Sequence, residues 1–288
     1  MTKLALGTVQ FGMPYGISNT KGVPSADEIK RILARAADAG ALVIDTAAAY
    51  GASEEALGRT LPLGHAFRIV TKTLKVAGGG TGVVTDFHKS LAKLGQKSVY
   101  GLLVHDAEDL LGPGGDGVFR GLCQLRAEGL VRKIGVSVYS ADQIDRVTAR
   151  YAIDLIQLPF NFLDQRLLKS GHLAKLKAAG VEVHARSVFL QGALLMPLAE
   201  LPSHFDSVRP HLARIHDEAA RAGHSLLELA LGFVLGQQTI DQAVVGVCSE
   251  NQLVEILAAA KKAGTGSMDF SSYSWNEERI LNPALWPI

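Results

Sequence analysis

Eight short apolar runs, each separated from the next by an amphipathic stretch, constrain this chain more than any other feature. They are LALGT (4–8), ALVIDT (41–46), RIVTK (68–72), YGLLVH (100–105), IGVSV (134–138), LIQLP (155–159), VEVHARS (181–187) and AVVGV (243–247). A strand with one wet face alternates apolar and polar residues. A run that is apolar throughout must be covered on both faces, as in a parallel sheet with helical crossovers. The intervening segments carry helix signals. PSADEIKRILARAADAG (24–40) offers Ser25 as an N-cap, Glu28 three residues on, and Gly40 as a stop. Ser140 caps SADQIDRVTAR (140–150) in the same way, and 164–180 and 249–264 each read as one helix ending in glycine, with lysines near the last turn.

Eight strands alternating with helices over 288 residues match the (β/α)8 barrel, an α/β fold, in count, order and length. The competing open doubly wound sheet puts a Gly-rich phosphate turn directly after its first strand. Here the glycines fall at 7, 12 and 16, a different spacing, so the barrel is expected. The whole chain, 1–288, reads as a single barrel domain with two additions. One is a long loop and helical insertion at 188–242, between strands 7 and 8, with helices near 207–222 and 225–236. The other is a C-terminal extension, 265–288, too aromatic for a free tail and expected to dock by its two tryptophans.

Composition narrows the partners. Lysine plus arginine (29) nearly cancels aspartate plus glutamate (28), with no long charged block, which argues against nucleic acid or an anionic membrane. No run of 18 apolar residues and no secretory signal is present, so a cytoplasmic location is expected. Cys123 and Cys248 are too few for a disulfide framework or a zinc site, Cys248 reads as packing, and the nine histidines form no metal-ligand motif, so no metal is expected. His184 reads as a satisfied polar residue. GGGTG (78–82) and LGPGGDG (111–117) lack the Lys-Ser/Thr of a phosphate loop and read as connections.

In such a barrel the chemistry gathers at the C-terminal ends of the strands. Three consecutive strands end in Asp45, Lys72 and His105, and Tyr50 follows Asp45 across a spacer of small residues in IDTAAAYG. Neighbouring strands lie about 5 Å apart, so these side chains converge on one side of the barrel mouth. A free tyrosine is a poor proton donor at neutral pH. An adjacent ammonium, itself held by a carboxylate, favours the phenolate and makes the phenol a usable acid and base. Such a set protonates a carbonyl oxygen while hydride arrives at carbon. No side chain donates hydride, so a nicotinamide cofactor is implied.

IDTAAAYG, VTK with Lys72, LLVH with His105, GVS with Ser137, LIQLPFN and RSVFLQGALL together resemble the aldo-keto reductase superfamily over about residues 4–263. The resemblance implies that Tyr50 is the proton donor, that Lys72 and Asp45 tune it, and that His105 orients a small-molecule carbonyl substrate. It implies that Ser137 and Gln157 hold the nicotinamide carboxamide. Arg186, Ser187, Gly192, Gly246, Ser249 and Gln252 would line the rest of the path of NADP(H) or NAD(H). Val138 stands where many relatives have Asn, Arg186 where an aromatic residue usually stacks on the nicotinamide, and GVCSENQLVEIL (246–257) has no basic residue for a 2′-phosphate, which leaves the cofactor preference open. Phe11, Met13, Tyr15, Phe160, Asn161 and Phe189 are the candidate substrate walls. LGTVQFGMPYGISN also resembles reductase-like proteins of surface-polysaccharide or nucleotide-sugar pathways, which points to a sugar-derived carbonyl. Two other readings stand beside the reductase: a barrel using Lys72 as a Schiff-base nucleophile, and a cofactor-binding regulatory subunit. Monomer and homodimer are both open.

Overall fold

A computed structural model describes residues 2–76, 79–263 and 269–287. Eight parallel strands close into a barrel in sequence order: β1 (Leu4–Gly7), β2 (Val43–Asp45), β3 (Arg68–Lys72), β4 (Val99–Val104), β5 (Val131–Ser137), β6 (Leu155–Pro159), β7 (Glu182–Arg186) and β8 (Gln242–Gly246). Closure is made by β8 against β1, from Leu4↔Ala243 to Gly7↔Gly246. Each expected apolar run overlaps one of these strands, with β4, β5 and β8 beginning one to three residues earlier, because alternate residues serve two separate cores. Ala5, Val43, Val70, Leu103 and Leu155 pack inside the barrel. Leu6, Ile44, Ile69, Leu102, Ile134 and Ile156 belong to the larger core shared with the surrounding helices.

The principal helices are α1 (Ala26–Asp38), α2 (Ser53–Thr60), α3 (Gly79–Leu94), α4 (Gly115–Ala127), α5 (Ala141–Arg150), α6 (His172–Ala178), α7 (Arg209–Arg221), α8 (Leu226–Leu235) and α9 (Glu250–Lys262). Ser25, Ser140 and Ser249 accept the N–H three residues on and fix the starts of α1, α5 and α9. The single helix expected over 164–180 is two: Arg166–Lys169 and then α6, separated by Gly171 at φ +78°. A left-handed glycine ends the first piece and becomes the N-cap of the second. The glycine runs expected as mere connections also do more. A Cβ on Gly80 would meet the Gly117 carbonyl oxygen at 2.3 Å, so the start of α3 lies directly on α4. Gly78, Gly264 and residues 265–268 lie outside the described residues.

Between β7 and β8 run short 3-10 turns followed by α7 and α8. The C-terminal segment lies on this insertion. Trp286 meets Phe205 edge-on with ring centroids 5.1 Å apart and donates its indole N–H to Ile280 O, while Trp275 packs on His211. Buried Tyr273 lies between Phe162 and Phe270. Among the described residues no helix is long and apolar enough to cross a membrane.

Candidate active site

The tyrosine reaches the barrel mouth through a turn that only small residues can form. Tyr50 N donates to Ala47 O at 3.0 Å, and the buried Ser53 hydroxyl donates to Thr8 O at 2.8 Å and lies 3.1 Å from Thr46 Oγ1. Gly51 sits at φ +56°, where side-chain-bearing residues are strained. A Cβ there would come within 2.5 Å of Gly12 O, and one on Gly12 within 1.9 Å of Tyr50 O. The Tyr50 loop and the loop after β1 therefore touch backbone to backbone.

Beneath the phenol lies a buried ion pair. Lys72 Nζ donates to Asp45 Oδ1 and Oδ2 at 2.8 and 2.7 Å, to Thr46 O at 2.9 Å and to Tyr50 Oη at 3.2 Å. Lys72 and Asp45 are 1% and 3% exposed, so the pair survives burial only because its hydrogen bonds are filled. Burial alone would favour a neutral amine. The Asp45 carboxylate and the Tyr50 phenol outweigh it and hold Lys72 above the ordinary lysine range, as a cation. Gln157 Nε2 completes the carboxylate's shell, donating to Asp45 Oδ1 at 2.7 Å across the barrel interior. His105 stands edge-on to Tyr50, ring centroids 5.7 Å apart. Burial, with the charges of Lys72 and Arg186, lowers its pKa from 6.5 to about 4, against a weaker pull from Asp45. At neutral pH it is an uncharged hydrogen-bonding group.

These groups open into a cavity of about 470 Å³. Asp45, Tyr50 and His105 line it; Lys72 lies behind them, hydrogen-bonded to Tyr50 and Asp45. Of the residues assigned to the cofactor, Ser137, Gln157, Arg186, Ser187, Gly192, Gly246 and Gln252 line it as well, whereas Ser249 caps α9 and is not in its wall. Tyr15 and Phe189 are in the wall. Four expected wall residues are not. Phe11 is 2% exposed and belongs to the core, Phe160 is buried and stacks on Phe233, and Met13 points to solvent at 37% exposure. Asn161 is fully buried, donating to Ser187 O at 3.0 Å and accepting from the N–H groups of Leu163 and Asp164. It braces the turn after β7, which contains three non-glycine residues at positive φ, Ser187, Leu190 and Gln191. A polar residue just past a strand end serves a turn as readily as a ligand.

Several wall residues escaped the sequence reading: Gln10, Ser18 and Asn19 from the loop after β1, Tyr139 after β5, and Gln191. The first three lie within the quoted LGTVQFGMPYGISN segment, so its glycines were the available signal. Gln10 Oε1 is buried with no partner among the described residues, and a Cβ on Gly246 would come within 2.5 Å of it. A narrow polar slot at the β1–β8 seam suits a flat, amide-bearing group. At the far end, at the N-terminus of α9 beside Ser249, one backbone N–H is already taken. Glu28 Oε1 accepts from Glu250 N at 2.6 Å, and the hydrogen bond from that backbone N–H, followed by one from Arg31, holds Glu28 below the usual carboxylate range.

The family model for the aldo/keto reductase family matches residues 3–271. The chain belongs to the aldo/keto reductase family. Among curated family members, an aldo-keto reductase of Mycobacterium ulcerans is 37% identical over 128 residues, 43% of this chain and 44% of that protein, so the chain spans less than half of such relatives. Two solved structures extend the likeness over nearly the whole fold. The aldo-keto reductase AKR11C1 from Bacillus halodurans, in a holo form, superposes with a TM-score of 0.75 at 18% identity, covering 99% of this chain and 94% of that one. The glycerol dehydrogenase AKR11B4 from Gluconobacter oxydans gives 0.70 at 22% identity, covering 94% and 88%.

Proposed function

We propose that this chain reduces an aldehyde or ketone with NADH or NADPH, or runs the reverse oxidation, with Tyr50 as the acid and base. The observation that carries the reading is the Tyr50–Lys72–Asp45 chain of hydrogen bonds at the cavity mouth, beside a neutral His105. A reduced nicotinamide, when bound, supplies the hydride that no side chain can give. His105 hydrogen-bonds the substrate oxygen and adds no charge. Tyr50 gives its proton to that oxygen, yielding an alcohol, and the Lys72 cation stabilises the phenolate left behind. Asp45 keeps that cation charged and in place. Ser137 and the carbonyl oxygen of Gln157 would hold the carboxamide, with Ser187, Gly192, Gly246 and Gln252 along the remaining path.

The Schiff-base alternative is disfavoured by the same geometry. Lys72 Nζ has four oxygen partners and is held protonated, which leaves no free lone pair for attack. The reading is tested by titrating NADH and NADPH against protein fluorescence, then assaying the tighter one on aldehydes and sugars. Tyr50→Phe is expected to keep cofactor binding and lose about 10²–10⁴-fold in turnover. Binding of neither cofactor by the unaltered protein would overturn the scheme, as would borohydride trapping of a carbonyl on Lys72. Binding without turnover of any carbonyl would favour the regulatory-subunit reading.

A further inference from the structure

The cavity holds a second cation whose charge the proton relay does not use. Arg186, at the end of β7, is half-buried in the wall. It forms no ion pair with any described residue. Its guanidinium lies 4.0 Å over the Tyr139 ring, Nη2 donates to Val138 O at 3.2 Å, and Nη1 lies 3.3 Å from Ser187 Oγ. These contacts fix the plane of the group without neutralising it, and they occupy two of its five N–H donors. One face is covered by the Tyr139 ring, and the edge, which carries the N–H donors, is the surface that can bond oxygens. Its positive charge acts on both His105 and Tyr15, so it stands on the same side of the mouth as the acid–base groups.

Asp45 is committed to Lys72, and Glu255, the other carboxylate in the cavity wall, makes no ion pair with Arg186, so the guanidinium stays available to an anion in a partly desolvated wall. An arginine fork in that setting is suited to two oxygens of a carboxylate or phosphate. We infer that Arg186 selects substrates in which the carbonyl to be reduced is carried on an anionic molecule, a carboxylate or a phosphate monoester. This rests on the carbonyl-reductase reading above and names the substrate class of the same site. It also gives Arg186 a different task from stacking on the nicotinamide.

The test compares matched pairs: succinic semialdehyde with its methyl ester, and glyceraldehyde 3-phosphate with glyceraldehyde, each with wild type, Arg186→Met and Arg186→Lys. Wild type is expected to show a KM at least tenfold lower for the anionic member of one pair, and which pair does so separates carboxylate from phosphate. Arg186→Met should raise the KM of the anionic member at least tenfold more than that of the neutral one, so that the preference is lost, and Arg186→Lys should restore part of it. No preference in wild type, or an equal loss on both members in Arg186→Met, would overturn the inference. So would a loss of NADH and NADPH affinity in Arg186→Met, which would place the guanidinium on the cofactor. If wild type turns over none of the four compounds, the anion site is judged by binding rather than by kinetics. Calorimetric titration with succinate and with inorganic phosphate then decides the anion site alone. Binding of either that Arg186→Met removes, with the melting temperature unchanged, supports it; no binding, or binding that survives the substitution, rules it out.

Discussion

His105 carries the sharpest residue-scale prediction. Its folded pKa is depressed from 6.5 to about 4, so the ring stays neutral through the range in which an exposed histidine would titrate. The pH profile of kcat/KM should therefore show no acidic break between 6.5 and about 4 that His105→Gln removes. A break near 6.5 that the variant abolishes would contradict the neutral-ring assignment. Asp45, Tyr50, Lys72 and His105 were legible in the sequence because strand ends in a barrel share a mouth, and a charge at the end of an apolar run is costly unless it meets a partner. Gln157 was legible as a wall residue, but its bond to Asp45 was not. That contact crosses the barrel interior between β2 and β6, and no spacing along the chain encodes it. Phe11, Phe160 and Asn161 were misplaced for the opposite reason: an aromatic or polar residue just beyond a strand can turn back into the core or tie a turn, and sequence does not say which.

At the scale of elements, all eight strands were legible because burial on both faces leaves an unbroken apolar signature. What escaped were contacts between elements far apart in sequence: α3 lying on α4 through Gly80 and Gly117, and α1 reaching α9 through Glu28. The second contact bears on the cofactor. The N-terminus of α9, which attracts anions, already holds the Glu28 carboxylate, and Glu250 beside it pairs with Arg35. A 2′-phosphate brought there would compete with the Glu28 carboxylate for that N–H and for Arg31. Glu28→Gln retains an oxygen for the Glu250 N–H and removes the charge, so NADPH should bind roughly two- to fivefold tighter relative to NADH, the scale of one charge at a helix terminus. Competitive fluorescence titration of both cofactors measures it; an unchanged ratio would mean that the 2′-phosphate sits elsewhere.

The whole molecule has a second buried polar centre, toward the other end of the barrel. Glu182 accepts from Tyr100 Oη at 2.6 Å and from Lys133 Nζ, and faces His184 Nε2 at 2.7 Å. Burial pushes its carboxyl up, but the hydrogen bonds from His184, Lys133 and Tyr100 outweigh that and leave it far below the ordinary 4.5. A carboxylate depressed in the fold contributes stability above its unfolded pKa and loses it as the pH falls toward its folded value. Glu182→Gln is thus expected to cost about 1–3 kcal/mol at neutral pH, where it leaves the half-buried Lys133 without its carboxylate partner. Urea unfolding should show the gap to wild type narrowing as the pH drops well below 4.5. A gap that stays constant with pH would assign the loss to packing.

The contact between Gly12 and Gly51 limits how this molecule can be re-engineered. The loop after β1 supplies Gln10, Tyr15, Ser18 and Asn19 to the cavity wall, and it is the natural segment to exchange in search of a new substrate range. Yet its backbone is the seat on which the Tyr50 turn rests, so a transplanted loop with any side chain at position 12 displaces Tyr50. The cavity wall and the placement of Tyr50 are inherited together here, and a library that diversifies one loop without co-selecting the other will sample mostly chains in which Tyr50 has moved.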